Sequence, residues 1–478
     1  MEPSPVQILI DELRQEMAVL RQEIAVLRQE NVLLRQENAE LRRRLDKDST
    51  NSSKPPSSDG LKKKPRILGS LRGKSGKVSG GQVGHKGDTL RRVEKPDFIK
   101  RHKATNCLCC KAKLTESMIT GVTKRQVFDI PKPRIEVTEH QASVYTCMAC
   151  NGTTQAAFPT DVTSSVQYGA RIKANAVYFN VQQLIPEERV VEIMNDLFGA
   201  RLLCSASVAG WGIQAAAELQ SFVEHIGSLV ATAPVRNLDE TGFRIGGKTQ
   251  WLHTASTDAL THYRVTEKRG AIPMLTGGII VHDHFKPYYG LSDITHSLCN
   301  AHHLRELKAL IEIEKEPWAK RMFRVLLKAL EAVQAAKAKG TPVLQARIMR
   351  RIMALYDGLV AMGLAFHEQQ PPLERKPGAR GQIPRRPGHN LLIRFRDFKD
   401  DVLRFATNFA VPFTNNQAEQ DIRMMKVKMK ISGSFRTMAG AEVFAALRSV
   451  ISTARKQGWN ILQTLHTPAH LLIAQLPA

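Results

Sequence analysis

The chain has 478 residues, room for roughly three domains each with its own core. Lys and Arg total 69 against 45 Asp and Glu, a formal charge of +24 with a pI near 9.9. That excess draws a protein to polyanions, nucleic acid being the commonest, without choosing among DNA, RNA and a membrane surface. There is no apolar run long enough to span a bilayer, and the opening MEPSPVQILIDELRQEM lacks the cationic segment, apolar core and cleavage site of a secretion signal. The expectation is a cytoplasmic protein with no membrane partner.

Residues 6–46 repeat at seven: LRQEMAV, LRQEIAV, LRQENVL, LRQENAE. Leu13, Leu20, Leu27, Leu34 and Leu41 fall at d, and Ile10, Met17, Ile24, Asn31, Asn38 and Leu45 at a. Glu16, Glu23, Glu30 and Glu37 at g pair with Arg21, Arg28, Arg35 and Arg42 at e. This predicts a parallel leucine-zipper coiled coil, its a-position asparagines favouring a homodimer in fixed register. From 47 to 103 the pattern dissolves into STNSSKPPSSDGLKKKPR and GKSGKVSGGQVGHKGD. Residues 51–103 carry 15 Lys or Arg against four Asp or Glu. Too little can be buried there to offset chain entropy, so a basic flexible linker is expected.

Of seven cysteines, four form two Cys-x-x-Cys pairs, Cys107 with Cys110 in CLCC and Cys147 with Cys150 in CMAC. Cys107, Cys110, Cys147 and Cys150 supply the donor set of a structural Zn²⁺, closed to catalysis because no position is left open. Cys109 is an alternative ligand. RQVFDI and RIEVTEH alternate as strands do, which predicts a zinc-ribbon-like domain over 104–160. Residues 161–232 read helical, with two helices about a glycine-containing turn in the manner of a DNA-binding helix-turn-helix. Short β-like runs follow over 233–300: VRNLDETGFRI, TQWLHTAST, THYRVTE and GGIIVHD. A helical insertion with a Pro/Arg-rich basic loop occupies 301–412, and 413–478 completes the core. The fold class expected is multidomain α+β.

Asp239 and Asp283 each end a predicted strand, where a sheet presents side chains to a shared cleft. Glu419 heads a helix whose apolar face is Ala418, Ile422, Met425 and Met429, and whose other face lines up Glu419, Arg423, Lys426 and Lys430. Three converging carboxylates suit Mg²⁺ or Mn²⁺ and phosphoryl-transfer chemistry. The cations beneath Glu419 would face DNA phosphates; a solvated ion-paired face is the plain alternative. Asn415 and Asn416 either cap that helix or contact the scissile phosphate, capping being preferred. Cys299, His302 and His303 in CNAHHLREL are read as a helix packed beside the cleft in preference to a second metal site. Trp251 and Trp318 are read as core.

LDETGFRI, VHDHFKPYY, LCNAHHLREL and FTNNQAEQDIRMMKVKMKISGSFRT, in this order, resemble transposases of the insertion sequence 66 family. NSSKPPSSDG, GGQVGHKGDTL, the paired Cys-x-x-Cys knuckles and the leucine-heptad start resemble that family's N-terminal half, so nearly the whole chain is covered. The resemblance implies an Asp-Asp-Glu recombinase with a ribonuclease-H-like core, interrupted by helices before the Glu. Its acidic motifs fall on Asp239, Asp283 and Glu419, with Asp239 preferred over Glu240. It implies cleavage at the terminal repeats of a bacterial element and joining to target DNA, in a nucleoid-associated setting, with room for accessory proteins of the same element. Two other readings stay open: a non-catalytic dimeric zinc-containing DNA-binding regulator, and a metal-dependent nuclease without strand transfer.

Overall fold

The structure, a computed structural model, describes residues 5–47, 89–131, 133–200, 203–272, 275–373 and 383–476, with side chains from residue 15 onward. Most of the basic linker, the tip of the basic loop and the side chains of Ile10 and Leu13 lie outside the described residues. Two compact units are present: Met1–Pro65 with Glu139–Asp196 and Ala200–Ala478, and Arg66–Thr138 with Leu197–Gly199. No helix among the described residues is long and apolar enough to cross a membrane.

Helix α1, Pro5–Asp46, is uninterrupted over 42 residues, about 63 Å at 1.5 Å per residue. Met17, Leu20, Ile24, Leu27, Leu34 and Leu41 lie exposed along it.

In the smaller unit the first knuckle is closed by a bridge between Asn106 and Lys113. The Gln126 amide clamps Val93 by donating to its carbonyl at 2.7 Å and accepting from its N–H at 2.8 Å. The strands expected between the knuckles do not form. Val127, Ile130 and Val137 are exposed, and alternation without a partner strand or a surface to bury against does not hold a ladder. The pairing sits at the knuckles themselves, and the second is flanked in the larger unit by the antiparallel hairpin of β1 (Val144–Thr146) and β2 (Thr153–Gln155).

Four helices then follow, α2 (Ala170–Val177), α3 (Glu187–Phe198), α4 (Ser205–Glu218) and α5 (Gln220–Thr232). Val177, Ala216, Phe222, Ile226 and Val230 from α2, α4 and α5 share one core with the sheet residues Leu238, Leu252 and Tyr263. The region read as a separate helical domain thus contributes a layer to the central core, because its apolar stripes are continuous with that core.

The sheet is β3 (Val235–Ile245), β4 (Lys248–Ser256), β5 (Thr261–Thr266), β6 (Ile279–His282) and β7 (Thr295–Leu298), in the order β5-β4-β3-β6-β7. β3, β4 and β5 form an antiparallel meander, while β6 and β7 run parallel to β3. The β3–β4 turn is Gly246–Gly247, with φ of 53° and 82°, the left-handed pair a two-residue hairpin needs. Before β6, Gly278 has φ of 70°, and a Cβ there would sit 2.8 Å from the Ala233 carbonyl oxygen.

After β7 come α6 (Asn300–Ala309), α7 (Pro317–Ala338), α8 (Ala346–Glu368), α9 (Pro387–Asp397) and α10 (Lys399–Thr407). They enclose a second core around Trp318, Met322, Leu326, Tyr356, Leu392 and Phe395. Trp318 is fully buried as expected, whereas Trp251 is only partly covered. The insertion leaves and returns at one place: Asn300 N donates to the Phe413 carbonyl at 3.1 Å, and Asn415 N to Cys299 Sγ at 3.1 Å. Helices α11 (Asn416–Ile431), α12 (Met438–Lys456), α13 (Ile461–Thr464) and α14 (Ala469–Gln475) rejoin the first core.

Candidate active site

Register brings the two aspartates together. Asn237 on β3 pairs with Val281 on the parallel strand β6. Asp239 lies two residues beyond that pair on β3, and Asp283 is the first residue past the end of β6, so neighbouring strands deliver the two carboxylates to the same place, where Asp283 presses on the Asp239 pKa. Cys299, the residue after β7, donates its N–H to the His282 carbonyl at 2.8 Å, which brings the start of α6 next to the turn that carries Asp283.

Asp239 does not end its strand, contrary to expectation: β3 continues to Ile245 because β4 pairs it throughout. What ends beside Asp239 is β6, at His282, and this opens the cleft. Asp283 then leaves the sheet through a tight turn, its Oδ1 accepting from Phe285 N at 3.2 Å and His284 taking φ of 73°. His282, held uncharged by burial with its pKa down to about 3, accepts from His284 N at 3.2 Å and steadies that turn.

Glu419 lies in the first turn of α11. Ala418, Ile422 and Met425 are buried beneath that helix, and Met429 packs against the same core. Arg423, Lys426 and Lys430 are exposed on the other face, with Lys426 Nζ donating to the Gly242 carbonyl at 3.0 Å. Asn415 does not cap the helix with its side chain. The side chain is buried and joins α11 to β3, donating to the Leu238 carbonyl at 2.6 Å and accepting from Asn237 Nδ2 at 2.9 Å. A side chain so enclosed offers no surface to a phosphate, and its part here is to place Glu419. Asn416 is exposed.

The charges are unevenly matched. Asp239 is pushed well above the usual carboxylate range by burial first, then by Glu240, Asp283 and Glu419. Its neighbour Glu240 is already occupied: Arg269 donates to Oε1 from Nη2 at 2.7 Å and from Nε at 2.9 Å, and Tyr288 donates to Oε2 at 2.6 Å. Glu419 has Arg305 at 3.5 Å on Oε2, while its buried Oε1 has no hydrogen-bond partner. Oxygen donors that crowd one another until one resists ionisation are a fitting cradle for hard divalent cations.

The sequence reading missed the Arg269 and Tyr288 clamp on Glu240, for which no local signal exists. It assigned CNAHHLREL to packing, and His303 does pack, buried against Phe395 with Nδ1 3.1 Å from Asn300 Oδ1. Cys299 and His302 instead reach Glu419. A Cys-x-x-His spacing at a strand-to-helix junction was the available signal.

Each cysteine knuckle is built alike. The residue after its second cysteine is left-handed, Lys111 at φ 62° and Asn151 at φ 54°, and its N–H donates back to the carbonyl of Cys107 or Cys147 at 3.1 and 2.8 Å. Backbone N–H groups of the following residues depress the pKa of Cys107 and Cys147. Thiols held toward the thiolate form fit zinc.

Comparison with protein families matches residues 165–443, more than half of the chain, to the Transposase IS66 family. The chain belongs to this family. Residues 104–151 of this IS66-family chain match the zinc-finger binding domain of transposase IS66, and residues 1–91 match a Family of unknown function (DUF6444). No curated protein matches it. The family membership supports a transposase with a zinc-finger domain and structural zinc.

Proposed function

We propose that this IS66-family transposase is an Asp-Asp-Glu enzyme that binds the terminal inverted repeats of its element and catalyses metal-dependent strand cleavage and transfer, with Asp239, Asp283 and Glu419 as the catalytic carboxylates. The observation that carries the reading is that Asp239 on β3 and Asp283, just past the end of the adjacent parallel strand β6, converge with Glu419 closely enough for both to raise the Asp239 pKa. The sheet order, an antiparallel meander joined to two parallel strands, supports a ribonuclease-H-like core. Mg²⁺ or Mn²⁺ held by these carboxylates would supply an activated water or 3′-hydroxyl and stabilise the leaving oxygen. The chain's own residues do the positioning: Asn415 fixes Glu419 to β3, Arg269 and Tyr288 withdraw Glu240 from the acid set, and the Asp283 turn aims its carboxylate. Arg423, Lys426, Lys430 and Asn416 lie on or beside the cleft helix where DNA phosphates would pass.

The knuckle cysteines Cys107, Cys110, Cys147 and Cys150 are the donors we assign to structural Zn²⁺. The exposed apolar stripe of α1 pairs with a second copy as a parallel coiled coil. The test is cleavage and joining of a labelled duplex carrying the terminal repeat, with Mg²⁺ or Mn²⁺, comparing wild type with Asp239→Asn, Asp283→Asn and Glu419→Gln, with binding measured at fixed salt. Variants that bind without cutting or joining support the proposal. Wild type that cuts and never joins favours a nuclease, and wild type that only binds favours a DNA-binding regulator.

A further inference from the structure

We propose that Cys299, His302 and Glu419 form a site for a thiophilic divalent ion of the Zn²⁺ class, distinct from the pair Asp239 and Asp283. Each residue offers one ligand atom, all within 4.8 Å of one another. His302 Nδ1 and Glu419 Oε1 are 3.7 Å apart. That is too long for a hydrogen bond and matches the edge, about 3.3–3.8 Å, of a tetrahedron whose metal bonds are about 2.0–2.3 Å. Both atoms are buried and neither has a hydrogen-bond partner. Their surroundings are otherwise satisfied: Arg305 takes Glu419 Oε2, and Asn415 N donates to Cys299 Sγ. A shared ion would remove the cost of both orphaned atoms at once.

Thiol, imidazole and carboxylate together select Zn²⁺, Co²⁺ or Cd²⁺ over Mg²⁺. On loading, the Cys299 thiol proton leaves to solvent as the sulfur–metal bond forms, while His302 contributes a ring lone pair and Glu419 a carboxylate oxygen. The Asn415 N–H then supports the thiolate, as outer donors commonly do. His302 and Glu419 keep side-chain exposures of 16% and 17%, which leaves a path for the ion and an open fourth position. The functional consequence rests on the catalytic reading of Glu419: an ion held there takes that carboxylate out of the acid set and inhibits Mg²⁺-supported cleavage.

The full chain, supplied with one equivalent of Zn²⁺, is titrated with Co²⁺, whose sulfur charge-transfer and visible bands report a thiolate-ligated tetrahedral site. One further equivalent should bind with these bands. His302→Gln should weaken it at least tenfold, Cys299→Ser should remove the charge-transfer band, and Asp239→Asn should keep both. Cys299 is buried, so melting curves accompany each variant, and His302→Gln at the cleft edge decides the matter if Cys299→Ser does not fold. Absence of bands beyond the zinc-loaded protein overturns the proposal, as do bands indifferent to His302→Gln or lost in Asp239→Asn. Separately, Zn²⁺ should slow wild-type cleavage in Mg²⁺ at least tenfold, and unchanged cleavage overturns the inhibitory consequence. If the bands follow Cys299 and His302 while wild type never cleaves, the site stands and the catalytic reading falls.

Discussion

Two carboxylates in this molecule face a histidine from a protected position, and they differ in what else reaches them. In the helical insertion Glu316 is closed: Oε2 accepts from Trp318 Nε1 at 2.6 Å and lies 3.2 Å from His367 Nε2. Gly388 packs so tightly over it that a Cβ would collide with both carboxylate oxygens. In the cleft Glu419 is open, its Oε1 unpartnered and 3.7 Å from His302 Nδ1. A satisfied buried acid holds a fold, and removing its partners costs stability. An unsatisfied one is held in readiness by the rest of the structure.

The sharpest way to break this contrast is to neutralise both acids. Glu419→Gln should lower cleavage by at least about 10²-fold with the melting temperature unchanged or raised. Glu316→Ala should lower stability by about 2–4 kcal/mol, with cleavage lost only as the protein unfolds. Melting curves beside a cleavage assay check both, and an inactive Glu316→Ala that melts like wild type would sink the comparison. Gly388→Ala should follow at about 1–3 kcal/mol through overpacking, measured by denaturant midpoint.

The pH response separates the regions further. The Asp239 carboxyl is raised above its ordinary 3.8 by burial and neighbouring acids. A raised acid adds stability while protonated, fully below its unfolded value, and loses that contribution as pH climbs through the folded value. Asp239→Asn should therefore gain melting temperature over wild type as pH rises from about 4 toward neutrality, and Mg²⁺ should narrow the gap by stabilising wild type alone. Smallest is the surface effect: Lys430→Ala should reduce the slope of log affinity for DNA against log salt by about 1, with no change in melting.

Residues that pattern locally were legible in the sequence. VRNLDETGFRI predicts a strand, and β3 spans Val235–Ile245. The buried and exposed faces of α11 follow from helical spacing. Strand β7 was not legible, since THSL is too short to show a period and is held by β6. The knuckle hairpins escaped because backbone hydrogen bonds, not side-chain alternation, define them. Asn415 carries the sequence preference of a cap, yet its side chain reaches β3 across 177 residues, a distance that helix propensity does not see.

The stem of the insertion has a consequence for how this chain tolerates change. Asn300 and Phe413 meet in one backbone hydrogen bond, so the chain is tied at the root of the insertion before it reaches Glu419, and α7 to α10 lie beyond that tie. Closure entropy grows only with the logarithm of loop length, and the α7–α8 turn at Gly340, exposed and at φ 72°, lies far along that excursion in sequence. A graft at that turn adds mass to a side branch whose root is already tied, and exposed turns of this kind are where chains accept foreign domains. The transposase thus carries a natural socket for a tag, a label or a second binding module.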